Sequence, residues 1–124
     1  MLMISPSIRG VYRVNVKGII KKRDVKHCVC VSVGGGMYLF INTEHREDYD
    51  DFQINATDYE FLEGVNRFLS CFKPINISTS QLIQKVGELN EEDARTVYLK
   101  IQKSKKILKK IKDLILPELW KTFR

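Results

Sequence analysis

Two apolar runs separated by three consecutive glycines constrain this chain most strongly. His27-Cys28-Val29-Cys30-Val31-Ser32-Val33 and Met37-Tyr38-Leu39-Phe40-Ile41 are rich in β-branched and aromatic residues, and Gly34-Gly35-Gly36 lies between them. Glycine supplies the positive φ that a tight strand reversal demands, so the segment predicts an antiparallel hairpin over 27–42. The glycines lack the following lysine and helix of a phosphate-cradling loop. A hairpin also sets the start of its first strand beside the end of its second. Lys17-Gly18-Ile19-Ile20-Lys21-Lys22-Arg23 is thereby carried next to Asn42-Thr43-Glu44-His45. Cations beside a hydroxyl and acid–base groups are what phosphodiester chemistry without a metal requires.

The pattern around the hairpin is β before it and after it, then helical. Val11 to Val16 alternates apolar and polar with period two, and Phe52-Gln53-Ile54-Asn55 and Arg67 to Phe72 read as two more short strands. Asp58 to Leu62 reads as a single turn that Gly64 ends. Short strands joined by turns predict a small, strongly curved sheet or barrel over 9–77. In the helical part, 78–116, Ser78 or Thr79 caps a short helix through Val86 that Gly87 stops. Asn90 then caps a long helix with Glu91, Glu92 and Asp93 in its first turn. Its apolar stripe runs from Ala94 through Ile101 and Ile115, past a polar break at Ser104, to Pro117. Such a helix of about 25 residues would be ~37 Å long, more than a small barrel covers, so a second copy of the chain is expected against it. The fold class expected is α+β, a single domain over 1–124.

Charge says what the surface meets. The net charge of +6 is unevenly spread: residues 1–26 carry seven cations against the single acid Asp24, and residues 44–63 carry eight acids against Arg46. Residues 98–124 return to eight lysines and Arg124 against Asp113 and Glu118. Two basic regions around an acidic one suit a nucleic acid on one surface and a basic partner, or the chain's own basic end, on another. No apolar run reaches the ~20 residues of a membrane span. The N-terminal residues lack the basic start of a signal peptide, and three cysteines, an odd number, fit a reducing cytoplasm better than a disulfide framework.

The candidate catalytic residues are therefore Arg23, Thr43, Glu44 and His45, with Lys17, Lys21, Lys22 and Lys26 as nucleic-acid contacts. Arg23 offers a forked donor for phosphate oxygens, and the imidazole of His45 is a side-chain type that can give or take a proton. Simpler accounts exist for each: a solvated loop for Lys21 to Arg23, a turn hydroxyl for Thr43, an exposed ring for His45. Cys28, Cys30 and Cys71 lack zinc-knuckle spacing and read as small buried hydrophobes, and no metal or cofactor is expected.

Four segments resemble the MazF/PemK-type toxin endoribonucleases. Arg9-Gly10-Val11-Tyr12-Arg13-Val14-Asn15 is similar to the family's first strand, and Lys22-Arg23 leading into Val29-Cys30-Val31-Ser32 to its loop arginine and second strand. Leu39-Phe40-Ile41-Asn42-Thr43 resembles the third strand, which ends in threonine, and Ile83 to Asp93 resembles the join into the C-terminal helix. Asp24-Val25 after Arg23 and Glu44 after Thr43 are this chain's variations on that pattern. The resemblance implies an SH3-like barrel, a homodimer, an antitoxin or other protein regulator, and metal-independent cleavage of single-stranded RNA by 2′-OH attack. Arg23 and Thr43 would occupy the family's catalytic positions. The alternatives are a noncatalytic nucleic-acid- or protein-binding module on the same barrel, as in a phage or mobile-element protein, and a pure interaction module.

Overall fold

The structure is a computed structural model that describes residues 3–21 and 23–124. Lys22, counted above among the loop cations, lies outside the described residues. The chain forms β1 (Gly10–Asn15), β2 (Val25–Ser32), β3 (Met37–Asn42), β4 (Asp51–Ile54), β5 (Arg67–Ser70), β6 (Ile75–Asn76), β7 (Leu82–Glu88), α1 (Glu91–Lys103) and α2 (Lys109–Trp120). It is a small α+β protein whose seven-stranded antiparallel sheet runs β4-β5-β3-β2-β1-β7, with β6 also on β3. The path is open, since β4 and β7 stand at its ends.

The expected hairpin is present, with Cys28 opposite Phe40, Val29 opposite Leu39 and Cys30 opposite Tyr38. Gly36 takes the positive φ, +63°, that the reversal needs. Both faces of the central strands are covered, which is why their sequences are continuous apolar runs rather than alternations. Val11, Val29, Val31, Leu39 and Ile41 face one cluster with Ala94, Val97 and Ile101 of α1 and Ile115 and Leu119 of α2. Tyr12, Val14, Cys28, Cys30 and Tyr38 face the other, which Ile77, Leu82 and Ile20 close.

β3 is shared between two neighbours. Met37 and Tyr38 pair with Asn76 and Ile75 of β6, whereas Ile41 and Asn42 pair with Leu69 and Phe68 of β5. Between β5 and β6 the chain leaves the ladder, and Cys71 and Phe72 both donate their backbone N–H to Tyr49 O, at 3.2 and 3.1 Å.

The helical part differs from expectation in two places. The capping signal at Ser78 is real but serves a single 3-10 turn, Thr79–Gln81, in which Gln81 Oε1 accepts from Ser78 N at 2.9 Å. The chain then enters β7, an edge strand with Ile83, Gln84 and Lys85 exposed, instead of a short helix. Gly87 is no helix stop; a Cβ there would meet the Phe61 ring at 2.9 Å. Further on, Asn90 is the expected cap, its side chain accepting from Asp93 N at 2.8 Å, but the long helix is two helices. Ser104 breaks it, its Oγ accepting from Lys106 N and Ile107 N, both at 3.2 Å. α2 folds back on α1, Lys112 Nζ donating to Gln102 O at 2.9 Å and Ser104 O at 2.6 Å, and Pro117 lies inside α2. The length that called for a second copy is thus taken up within the chain itself.

α2 is also fastened to the hairpin turn. Glu118 accepts from Ser32 Oγ at 2.5 Å, Val33 N at 2.9 Å and Gly34 N at 3.2 Å. Burial opposes its ionisation, but the hydrogen bonds from Ser32, Gly34 and Val33 together hold its carboxyl below the ordinary value. Gly35 passes so close under α2 that a Cβ would meet Leu114 Cδ1 at 2.9 Å.

Candidate nucleic-acid interface

The loop after β1 is short because it is internally tied. Val16 O accepts from Ile19 N at 2.9 Å and Ile20 N at 3.1 Å, and Val16 N donates to Asp24 O at 2.8 Å. Gly18, at φ +86°, permits the reversal. The loop therefore delivers Arg23 to the mouth of β2, beside the end of β3, where Thr43 begins the next turn. Arg23 and Thr43 line one cleft of about 450 Å³, as the hairpin geometry predicts. Ile19, Ile20, Phe40, Asn42, Arg46, Tyr49, Phe72 and Lys73 are among the other residues of its lining.

Among the described residues four cations (Arg23, Lys26, Arg46 and Lys73) and one carboxylate (Glu44) line this cleft. Aromatic planes are interleaved with them. Lys26 Nζ stands 5.3 Å from the Phe40 ring centroid, and the Arg46 guanidinium lies 5.5 Å from that of Tyr49. Tyr49 stacks on Phe72 with centroids 4.2 Å apart and planes 16° from parallel. Burial first, and the neighbouring charges of Arg23 and Arg46 after it, lower the pKa of the Lys26 ammonium.

The other expected residues separate into two groups. Glu44 and Lys26 belong to the cleft lining, whereas Lys17 and Lys21 are exposed on the loop outside it. His45 is not part of the lining: its Nδ1 is 2.5 Å from Asp51 Oδ1, and its ring tilts over Phe68 at 5.8 Å. Asp51 also accepts from Arg46 N at 3.0 Å, so the first residue of β4 fixes both residues. Its neighbour Asp50 pairs with Lys100 of α1 at 3.0 Å, which ties the acidic stretch to the chain's own basic helix.

Sequence reasoning missed Arg46, Tyr49 and Lys73 and read Phe72 mostly as core. Phe72 and Lys73 follow β5, which its long-range pairing with β3 brings to the cleft, whereas Arg46 and Tyr49 are set by the Asp51 carboxylate and the turn over Glu47–Tyr49. The adjacent Phe72-Lys73 and the spaced Arg46 and Tyr49, each a cation with an aromatic, were the available signal. The cysteines are structural. Cys28, Cys30 and Cys71 are free and buried, and burial pushes the Cys28 thiol up to about 12 and the Cys30 thiol to about 11. Among the described residues no group of three or more His, Cys, Asp or Glu is arranged to hold a metal ion, and no helix is long and apolar enough to cross a membrane.

Chemically the cleft offers a forked donor, an ammonium, a hydroxyl, a carboxylate and a pair of stacked rings. No protein-family model matches the chain, and no curated protein sequence matches it.

Proposed function

We propose that this chain binds single-stranded RNA in the cleft and cuts it there as a toxin-type endoribonuclease. The observation that carries the reading is the convergence of Arg23, Lys26 and Thr43 with the stacked Tyr49–Phe72 pair in one cleft. Cations meet the phosphates, and an aromatic plane adds ~1–3 kcal/mol per stacked base whatever the sequence. A duplex, whose bases are already stacked on each other, would gain only the charge contacts.

Cleavage on this reading needs no group from outside. Glu44 takes the 2′-OH proton, the 2′-oxygen bonds to the adjacent phosphorus, and the bond from phosphorus to the 5′-oxygen breaks. Arg23 and the Thr43 hydroxyl bind the nonbridging oxygens of the phosphorane, and Lys26 gives its proton to the leaving 5′-oxygen. The products are a 2′,3′-cyclic phosphate and a 5′-hydroxyl. The short basic loop, the hairpin ending in Thr43 and the join before α1 also suit the SH3-like barrel of the MazF/PemK family. A cytoplasmic homodimer held in check by a protein antitoxin belongs to the same reading.

One observation favours a noncatalytic RNA-binding module instead. His45 is engaged by Asp51 and leaves the cleft without an imidazole. The deciding experiment incubates purified protein with a long single-stranded RNA in EDTA and sequences the new ends. Arg23→Ala is expected to slow cutting ~10²- to 10³-fold, as loss of one oxyanion donor does, and Thr43→Val to slow it with little change in packing. DNA of the same sequence stays intact for want of a 2′-OH. Salt-sensitive binding without new ends selects the noncatalytic module, and equal cutting by both variants attributes the activity to a contaminant.

A further inference from the structure

Arg23, Lys26 and Thr43 border not one hollow but two. The second, of about 210 Å³, is completed by Arg13, Val25, His27, Ile41 and Arg67. Arg13 and His27 are direct cross-strand partners on β1 and β2, and Ile41 opposes Leu69 next along the sheet. Side chains alternate between the faces of a sheet, so His27 and Ile41 stand on the opposite face from Lys26, Phe40 and Asn42. The three shared residues form a ridge over the strand ends, with the cleft on one side and this basin on the other.

We propose that the basin is a phosphate subsite, in which Arg13, His27 and Arg67 hold the backbone phosphate next to the one on the Arg23–Thr43 ridge. The inference rests on the preceding reading of the cleft as a path for single-stranded RNA. Among the described residues five basic side chains and one hydroxyl line the basin, and no carboxylate does. Among the described residues none of the five makes an ion pair, and Arg13 makes a single long hydrogen bond, 3.4 Å, to Gln84 Oε1. Crowded like charges repel, and a bound anion relieves the repulsion. Burial, then the charges of Arg13 and Arg67, lower the pKa of His27, and the opposing influence of Glu63 is outweighed.

The size and shape of the basin select a phosphate over a base. Its volume equals that of roughly seven liquid waters at ~30 Å³ each, enough for a phosphate with a few waters. The only ring in its lining, His27, is already edge-on to Phe61 at 5.5 Å, so no free plane awaits a base. A strand lying in the cleft with one phosphate on the ridge would set its next phosphate over the basin. RNA would then bend over the sheet's end rather than lie along one face.

The test uses the full chain and a fluorescein-labelled single-stranded 2′-O-methyl RNA, which cannot be cut because its nucleophile is blocked. Anisotropy across a salt series compares wild type, Arg13→Gln/Arg67→Gln, Arg13→Lys/Arg67→Lys and the cleft variant Arg46→Gln/Lys73→Gln. The basin glutamines are expected to weaken binding about tenfold and to make the slope of log affinity against log salt shallower by ~0.7, one phosphate's worth for a single strand. The lysine pair keeps the charge and should keep the slope, which separates lost contact from lost folding. If the cleft variant weakens while the basin glutamines bind with wild-type affinity and slope, the basin is no subsite and the cleft reading stands. If wild type binds no RNA, the cleft reading falls, and inorganic phosphate then decides the basin alone. A saturable shift of the His27 imidazole resonances, absent from Arg13→Gln/Arg67→Gln, supports an anion site there; an unmoved resonance overturns it.

Discussion

Replacing Glu118 by glutamine should destabilise the protein by about 2 kcal/mol at neutral pH, and the structure shows where the loss arises. The carboxylate accepts three hydrogen bonds, but Val33 N and Gly34 N belong to exposed residues and can turn to water. The Ser32 hydroxyl cannot: Ser32 is 0% exposed, and its Oγ already accepts from Gly35 N at 2.9 Å. A glutamine has one acceptor oxygen. Turned toward Ser32, it sets its own N–H₂ against two backbone donors; turned away, it orphans the hydroxyl. An unmet buried donor costs ~1–3 kcal/mol, and a bond to a charged acceptor is worth ~1.5–3 kcal/mol. For a chain of this size 2 kcal/mol lowers Tm by roughly 5–10 °C, readable by circular dichroism.

The pH dependence has a definite sign. Glu118 is more acidic folded than unfolded, so its contribution is complete above the unfolded value of ~4.3 and is lost as pH falls through the lower folded value. The Tm gap between wild type and Glu118→Gln should stay constant from about pH 5 to 8 and narrow below ~4, while other carboxylates titrate alike in both proteins. Ser32→Ala should make the same glutamine cheaper, because no hydroxyl is left unmet. A glutamine variant melting within ~1 °C of wild type at pH 7, or an undiminished gap in acid, would refute this account of how α2 is fastened.

Val31→Asp places a charge at a position that is 0% exposed between the sheet and the helices, and the loss of several kcal/mol should abolish cooperative melting. Deleting residues 105–124 removes Ile107, Ile115 and Leu119 from the core, so the sheet should lose its cooperative transition as well; a truncated protein melting like the full chain would show that α2 is dispensable.

Much of the β part was legible because its signals are local. The hairpin needed only two apolar runs and a glycine turn, and it already brought Arg23 to Thr43. β7 was hidden because Ser78 to Gln81 carries a genuine capping box and Gly87 sits where a helix stop would. Both residues are explained by contacts that sequence spacing cannot show, a single 3-10 turn and the Phe61 ring. The division of the long helix was legible in principle: the one polar residue in the apolar stripe, Ser104, is the residue that ends α1. His45 was misplaced for the opposite reason. Its nearness to Thr43 in sequence says nothing about Asp51, whose carboxylate draws it aside.

The forked pairing of β3 has a consequence for the energetics of any ligand in the cleft. Because β6 holds one half of β3 and β5 the other, the segment bearing Phe72 and Lys73 is anchored on both sides by ladders and in the middle by Tyr49 O. That segment cannot shift without breaking those bonds, so its side of the cleft is set before anything enters it. Ordering a loop or a set of side chains on binding costs ~0.5–1.5 kcal/mol for each one immobilised, and here the Tyr49–Phe72 stack is already in place. The flexible partner is the strand rather than the protein. Affinity should therefore depend on how readily the RNA unstacks, with pyrimidine-rich stretches entering at least cost.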